Sequence, residues 1–259
     1  MRRRGVVLSA AIAVLLALTA CSVAAPAARR PSHSPKPHVT HTPRALPTAT
    51  PTPTTVGFDK SAHSTDDPNS VWVVVNKARP LNPIDFTPPT LVYPDVTYVN
   101  RQPMRPEVAG ALVAMFKAGK AEAGLDFSVQ SAYRSFESQT RVYDDDVAHH
   151  GQAYADTDTA RPGHSEHQTG LAVDISAVPA KCSLDACFGT TSQGAWLRAN
   201  SWRFGFILRY AETTAPITGF TYEPWHFRFV GVPLATELNA EKARTLEEFF
   251  GVPGGTEYH

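Results

Sequence analysis

The chain has 259 residues, 42% of them hydrophobic, so it is long enough for a well-buried core of one or two domains. Its 24 basic and 24 acidic side chains cancel only on average: Arg2, Arg3, Arg4, Arg29, Arg30, Lys36 and Arg44 all precede the first acidic residue, Asp59, leaving residues 59–259 with 17 basic against 24 acidic groups. That acidic balance excludes nucleic acid as a main partner, because phosphate binding needs a clustered basic face, and three cysteines are too few for a disulfide-scaffold miniprotein.

Residues 1–20 have the form of a secretory signal, an arginine triplet followed by an apolar run from Val6 to Leu18 that is too short for a comfortable membrane span. The run ends in Leu18-Thr19-Ala20-Cys21, which resembles a bacterial lipobox. On that reading Cys21 is the first mature residue and carries a lipid anchor, two acyl chains being enough for stable attachment. A signal cut near Ala24, Ala25 or Ala27, leaving Cys21 without a role, is the alternative. Residues 21–58 are rich in Pro, Thr, Ser and Ala and cannot bury enough apolar surface to offset their ordering entropy. They are expected to form a disordered tether in which His33, His38 and His41 are solvated.

Residues 59–259 read as one domain with a core over 71–232. The β-branched run Val71-Trp72-Val73-Val74-Val75 predicts a strand, and the proline-rich stretch Asn76 to Pro83 a covering arm. Pro106 opens a segment with Val108, Leu112, Met115 and Phe116 at helical spacing, closed by Gly124. Phe127, Val129 and Ser131 alternate with polar neighbours as a strand does, and Ser135 then caps a helix with Phe136, Tyr143 and Val147 on one face. Leu171, Val173 and Ile175 mark another strand, and Ser192 to Phe204 a helix ended by Gly205. Phe206 to Leu208 and Trp225 to Phe229 are further strands, and Leu238 to Phe250 a last helix stopped by Gly251, while Gln152 to Thr159 and Ala211 to Thr218 read as loops. Strands mixed with helices that do not alternate strictly predict an α+β fold: a small antiparallel sheet carrying the site, with helices packed on its other face.

The chemistry-bearing residues fall in two stretches. His167 lies seven residues before Asp174 across the turn at Gly170, and Glu223 lies three before His226. Each pair alone has an ordinary explanation, since an aspartate caps turns and a histidine satisfies a backbone carbonyl. In conjunction, two imidazoles and one carboxylate make a set suited to zinc, one ion per chain, with the fourth tetrahedral position left open. Glu223 is then the candidate base. In an unbroken strand its three-residue offset from His226 points it to the opposite face, so Pro224 or a bulge has to turn it back. His63, His149, His150 and His259 read as surface groups, His164 as a loop contact, and Asp144-Asp145-Asp146 as a solvated helix face. No serine sits in a Gly-x-Ser-x-Gly elbow and no glycine-rich phosphate loop is present, which disfavours a serine nucleophile and a nucleotide enzyme. Cys182 and Cys187, outside the reducing cytosol, are expected to form a disulfide closing a short loop, with a metal pair as the rival reading.

Ser131-Ala132-Tyr133-Arg134-Ser135 with Gln139, Arg161 through Ile175, Gly205 through Tyr210, and Glu223-Pro224-Trp225-His226-Phe227-Arg228 resemble four ordered motifs of the VanY-like D-alanyl-D-alanine carboxypeptidase family. The likeness spans roughly Val71 to Val232. It implies the small α+β zinc peptidase fold, zinc on His167, Asp174 and His226, and Glu223 as catalytic base. It also implies that Arg134 neutralises charge on the substrate carbonyl and that Ser165 and Gln139 hold the terminal dipeptide, with Tyr133 and Trp225 counted beside them as substrate-binding. Phe229 stands where many members have tyrosine, and Ala211 to Ala215 lacks the glycine and lysine usual after the Arg-Tyr pair, a departure that touches substrate-end recognition and not the metal centre. The expectation is an exported, monomeric zinc D,D-carboxypeptidase, lipid-anchored on the outer face of a bacterial cytoplasmic membrane (or secreted), that trims the D-alanine end of peptidoglycan stem peptides. The alternatives are an L,D-carboxypeptidase or an endopeptidase on the same peptides, and a wall-binding lipoprotein that has lost catalysis. Retention of Glu223, which has no evident structural duty, argues against the last.

Overall fold

The computed structural model describes residues 57–259, so the signal segment, the lipobox with Cys21 and the tether up to residue 56 lie outside the described residues. Four short strands, β1 (Asp126–Ser131), β2 (Ala172–Val178), β3 (Phe206–Leu208) and β4 (His226–Phe229), form one antiparallel sheet in the order β1-β2-β4-β3. Two features of the register build the site. Asp174 of β2 stands directly opposite His226 of β4. Between Val129 and Ser131 the β1–β2 pairing slips, so that Ser131 also faces Asp174. A bulge re-aims a side chain in this way by inserting one residue into one strand.

The sheet rests on helix α1 (Pro106–Ala123), where Pro106 is pre-set for the first turn and Gly124 takes the left-handed closing position. Its Val108, Leu112, Met115 and Phe116 pack with Phe127 and Val129 of β1, Val173 and Ile175 of β2, and Phe227 and Phe229 of β4. Each such side chain contributes roughly 1.5–3 kcal/mol of gross burial energy. Helix and strand approach closely because Gly119 has no Cβ: one placed there would lie 2.4 Å from the Phe127 ring. Helices α2 (Phe136–His150), capped by Ser135, and α3 (Gln152–Asp158) follow β1, and α4 (Ser192–Asn200) continues through a 3-10 turn to Phe204. A short α5 (Ala215–Thr218) precedes β4. A second apolar cluster joins Trp72, Val74 and Val230 to α6 (Val232–Glu241) and α7 (Leu246–Phe250). Among the described residues no helix is long and apolar enough to cross a membrane.

Several local expectations need correction. Trp72 to Val75 is buried and Val71 half-buried, but the run is no strand: the carbonyls of Val71 and Val73 accept from the Arg228 guanidinium and that of Val74 from Arg79, so side chains take the place of a neighbouring strand. The single helix expected over Leu238 to Phe250 is two, parted where Lys242 turns left-handed and Thr245 caps α7 with its side chain. Gln152 to Thr159 and Ala211 to Thr218, read as loops, contain α3 and α5. Asp146 is not solvated, since it accepts from Thr159 and pairs with His150. Phe58, assigned to the tether by composition, packs against Trp72 and Phe249, because an aromatic ring gains by burial whatever its neighbours. The expected disulfide joins Cys182 to Cys187.

Candidate metal centre and cleft

His167 sits in a 3-10 turn, Glu166–Thr169, that Gly170 ends in the left-handed conformation just before β2. The turn folds His167 back against the residue after β1, and its Nδ1 donates to the Ala132 carbonyl at 2.7 Å. That bond leaves the lone pair on Nε2, which lies 3.2 Å from Asp174 Oδ2. Across the ladder, His226 Nδ1 lies 3.1 Å from Asp174 Oδ1 while its Nε2 donates to Glu166 Oε2 at 3.1 Å. Ser131 Oγ donates to Asp174 Oδ2. The ligand atoms of His167, Asp174 and His226 all lie within 4.8 Å of one another, and the three side chains are buried.

This donor set fits a zinc ion. With Zn–N and Zn–O bonds near 2.0–2.2 Å, tetrahedral ligand atoms stand roughly 3.3–3.6 Å apart, close to the separations about Asp174. Each ring has its second nitrogen committed to an acceptor, which fixes the tautomer and leaves the metal-facing nitrogen free. The acceptor for His226 is itself anchored: Glu166 Oε1 takes Arg209 Nε at 2.8 Å and Arg228 Nη1 at 2.9 Å, and Arg209 continues to Glu247 of α7 at 2.6 and 2.9 Å. Burial works against the Glu166 charge, but the two guanidiniums outweigh it and hold its carboxyl well below the usual carboxylate range.

The triad faces a cleft of about 300 Å³ whose lining includes Arg134, Ser165, Glu223 and Trp225. The turn Glu223-Pro224-Trp225, closed by a bond from His226 N–H to the Glu223 carbonyl at 3.1 Å, brings Glu223 to the same side as His226, with Oε2 at 3.7 Å from His226 Nδ1. The geometric demand placed on Pro224 by the sequence is therefore met by a turn before β4. Burial pushes the Glu223 carboxyl up to about 8, with Asp174 adding to the rise and His226 opposing it. For His226, burial works against the charged ring, yet its bonds to Asp174 and Glu166 prevail and raise it to about 9. Arg134 Nε is buried without a hydrogen-bond partner, and its guanidinium borders the cleft.

Two expected substrate contacts do not line the cleft. Gln139 is buried in the first turn of α2, where Nε2 donates to the Ala160 carbonyl at 2.7 Å, bracing the wall from behind. Tyr133 yields the cleft-facing position to Arg134, its own N–H bonding the Pro103 carbonyl. Ser165 does line the cleft while its Oγ caps the turn that carries His167. His164, as expected, is a loop contact on the Asn76 carbonyl. Glu166, Tyr210 and Leu184 were missed. The Tyr210 ring lies 4.8 Å from the His226 ring at an inclination of 40°, and Leu184 and Tyr154 stand at the cleft mouth.

Comparison with known proteins gives a consistent set. The family model VanY, D-alanyl-D-alanine carboxypeptidase, matches residues 101–232. The Bacillus subtilis (strain 168) protein YodJ is 39% identical over 189 residues, which is 71% of this chain and 68% of that one. The solved LdcB LD-carboxypeptidase, described for peptidoglycan recognition, is 39% identical with a TM-score of 0.65, covering 71% of this chain and 87% of its own. A glutamate-to-alanine mutant of the vancomycin-resistance D,D-pentapeptidase VanY, solved with Zn(II), is 34% identical with a TM-score of 0.58, covering 70% and 98%.

Proposed function

The chain belongs to the VanY family of D-alanyl-D-alanine carboxypeptidases, and from that premise we propose that it is a zinc-dependent D,D-carboxypeptidase acting on peptidoglycan stem peptides. The observation that carries this reading is the convergence of His167, Asp174 and His226 on one point at the cleft wall, with Glu223 and Arg134 beside it. His167 and His226, the latter once an ion displaces the proton on its metal-facing nitrogen, and the Asp174 carboxylate would hold a divalent ion at a net charge near +1. When bound, zinc supplies Lewis acidity, lowering the pKa of water towards neutrality and polarising a carbonyl. Glu223 takes the proton of the attacking water on its carboxylate and returns it to the nitrogen of the departing D-alanine. A divalent charge nearby favours the ionised carboxylate, offsetting the burial that raises it. Arg134 donates to the scissile carbonyl oxygen as it gains negative charge. Ser165 and Trp225 border the space left for the terminal residue.

A second reading, L,D-carboxypeptidase, draws support from the LdcB likeness, whose identity and TM-score both exceed those of the D,D-pentapeptidase. Mass spectrometry of defined pentapeptide and tetrapeptide muropeptides after incubation separates them. Loss of one D-alanine from the pentapeptide, stopped by a chelator and restored by zinc, is the expected result. Cleavage of the tetrapeptide alone selects the L,D reading, scission of a cross-linked peptide the endopeptidase, and no cleavage at all the wall-binding lipoprotein. We further propose that the protein is exported and works as a monomer, held to the outer face of the membrane by lipid on Cys21, with residues 21–58 as its tether. Membrane association that survives Cys21→Ala would contradict that anchor.

A further inference from the structure

Leu184 stands apart from the rest of the cleft wall. It lines the cleft yet remains 48% exposed. Its backbone lies in the left-handed region at φ 52°, and Cys182, two residues earlier, does so at 54°. Residues bearing a Cβ adopt that region at a cost, because the Cβ crowds the following carbonyl. Here the conformation is imposed by several ties. The disulfide closes the loop from Cys182 to Cys187. Asp185 accepts from the Cys187 N–H through its side chain at 2.8 Å and from the Phe188 N–H through its carbonyl at 2.9 Å. Cys182 packs against the main core and Phe188 is fully buried, so both ends of the loop are anchored. Between those anchors an aliphatic side chain is held out into water at the mouth of a cleft whose inner wall is charged. Among the described residues nothing covers its exposed half, and a ligand entering the cleft would supply the apolar contact it lacks.

A carboxypeptidase takes the chain end of its substrate to the reacting groups, and the longer, N-terminal part of the peptide leaves through the mouth. We propose that the disulfide-closed loop Cys182–Cys187 is a substrate-gripping rim in which Leu184 packs against the stem peptide on the N-terminal side of the scissile bond, as a specificity-determining residue. The proposal rests on the carboxypeptidase reading for the direction in which the peptide lies.

Zinc-loaded protein carrying Glu223→Gln, to hold turnover off, is titrated with a disaccharide-pentapeptide muropeptide and with the dipeptide D-alanyl-D-alanine. Adding Leu184→Gly should weaken the muropeptide five- to tenfold, the loss expected for one aliphatic contact, and the dipeptide less than twofold. Glycine accepts φ 52° freely, so the melting temperature should hold or rise, which separates lost contact from misfolding. Leu184→Met should restore most of the affinity, and Cys182→Ser with Cys187→Ser should reproduce the selective loss by releasing the loop. A parent protein that binds neither ligand counts against the carboxypeptidase reading and takes the rim with it. A parent that binds both while Leu184→Gly binds the muropeptide equally well, or loses both ligands alike, overturns the rim alone.

Discussion

Replacing Glu166 by glutamine removes one negative charge from a fully buried ion cluster while keeping its volume. Both oxygens of the carboxylate are engaged: Oε1 by Arg209 and Arg228 at 2.8 and 2.9 Å, Oε2 by the His226 ring at 3.1 Å. A neutral amide keeps one acceptor and turns an NH2 donor towards either the guanidiniums or the ring N–H, so at least one buried donor loses its partner. Breaking a buried ion pair from one side costs about 3–5 kcal/mol. Arg209 retains Glu247, and Arg228 retains the carbonyls of Val71 and Val73, which argues for the lower end, about 3 kcal/mol. In a domain of this size each kcal/mol moves the melting temperature by about 2–4 °C, so calorimetry of the metal-free protein should show a drop of about 6–12 °C. Freed from its acceptor, the His226 ring should also bind zinc about 10- to 100-fold more weakly, the usual effect of losing such a partner. The folded-state pKa of Glu166 lies below its ordinary value, so its stabilisation is present above about 4.5 and is lost only as pH falls through the folded value. The gap between wild type and Glu166→Gln should therefore persist at neutral pH and narrow in acid. An unchanged melting temperature together with unchanged zinc affinity would refute the positioning role of Glu166.

Three further outcomes are expected. In the metal-free protein the raised pKa of Glu223, about 8, means that the fold favours its neutral form, so the stability this group contributes is full below the ordinary carboxylate value of 4.5 and is lost as pH rises through 8; the raised His226, about 9, adds a loss from 6.5 upward. Urea unfolding across pH 4 to 9 should show that decline, and Glu223→Gln should abolish its lower part; identical profiles would contradict the assignment. Arg134→Met should lower kcat about 10²- to 10³-fold, as removal of an oxyanion donor does, with zinc content intact; a loss confined to KM would place Arg134 in ground-state binding instead. Gly194→Ala should destabilise the domain by about 1–3 kcal/mol or more, because its Cβ would meet the Phe188 carbonyl at 2.1 Å, and an unshifted denaturation midpoint would contradict the packing of α4.

The convergence of His167, Asp174 and His226 was legible in the sequence because their spacing is a covalent fact: a turn glycine between His167 and Asp174, and a strand pattern around His226, suffice to bring the three side chains together once the sheet pairs. Glu166 was not legible, since a glutamate beside a histidine ordinarily points to water. One signal was available: Arg228 alternates with Phe227 and Phe229 and so shares the face of His226, and a buried arginine demands an acidic partner. Val71 to Val75 misled for the same reason in reverse, as β-branched composition reports burial, while the partner that makes a strand is here a guanidinium. The break between α6 and α7 at Lys242 does have a local signal, Thr245 with Glu248 three residues on, in which the Thr245 hydroxyl accepts from the Glu248 N–H, and packing of Leu246 and Phe249 then fixes the new helix. Gln139 and Tyr133 were carried over by motif alone, and motif does not say which face of a helix or which side of an extended segment meets the cleft.

The most direct measurement is the zinc content of purified wild type, Glu223→Gln and His167→Ala after exhaustive dialysis, read by elemental mass spectrometry. Wild type and Glu223→Gln should each retain about one ion per chain, since Glu223 is assigned to the water and not the metal, and His167→Ala should fall to a small fraction of that. Stoichiometric zinc in His167→Ala, or its loss from Glu223→Gln, would contradict the ligand set on which the proposed chemistry stands.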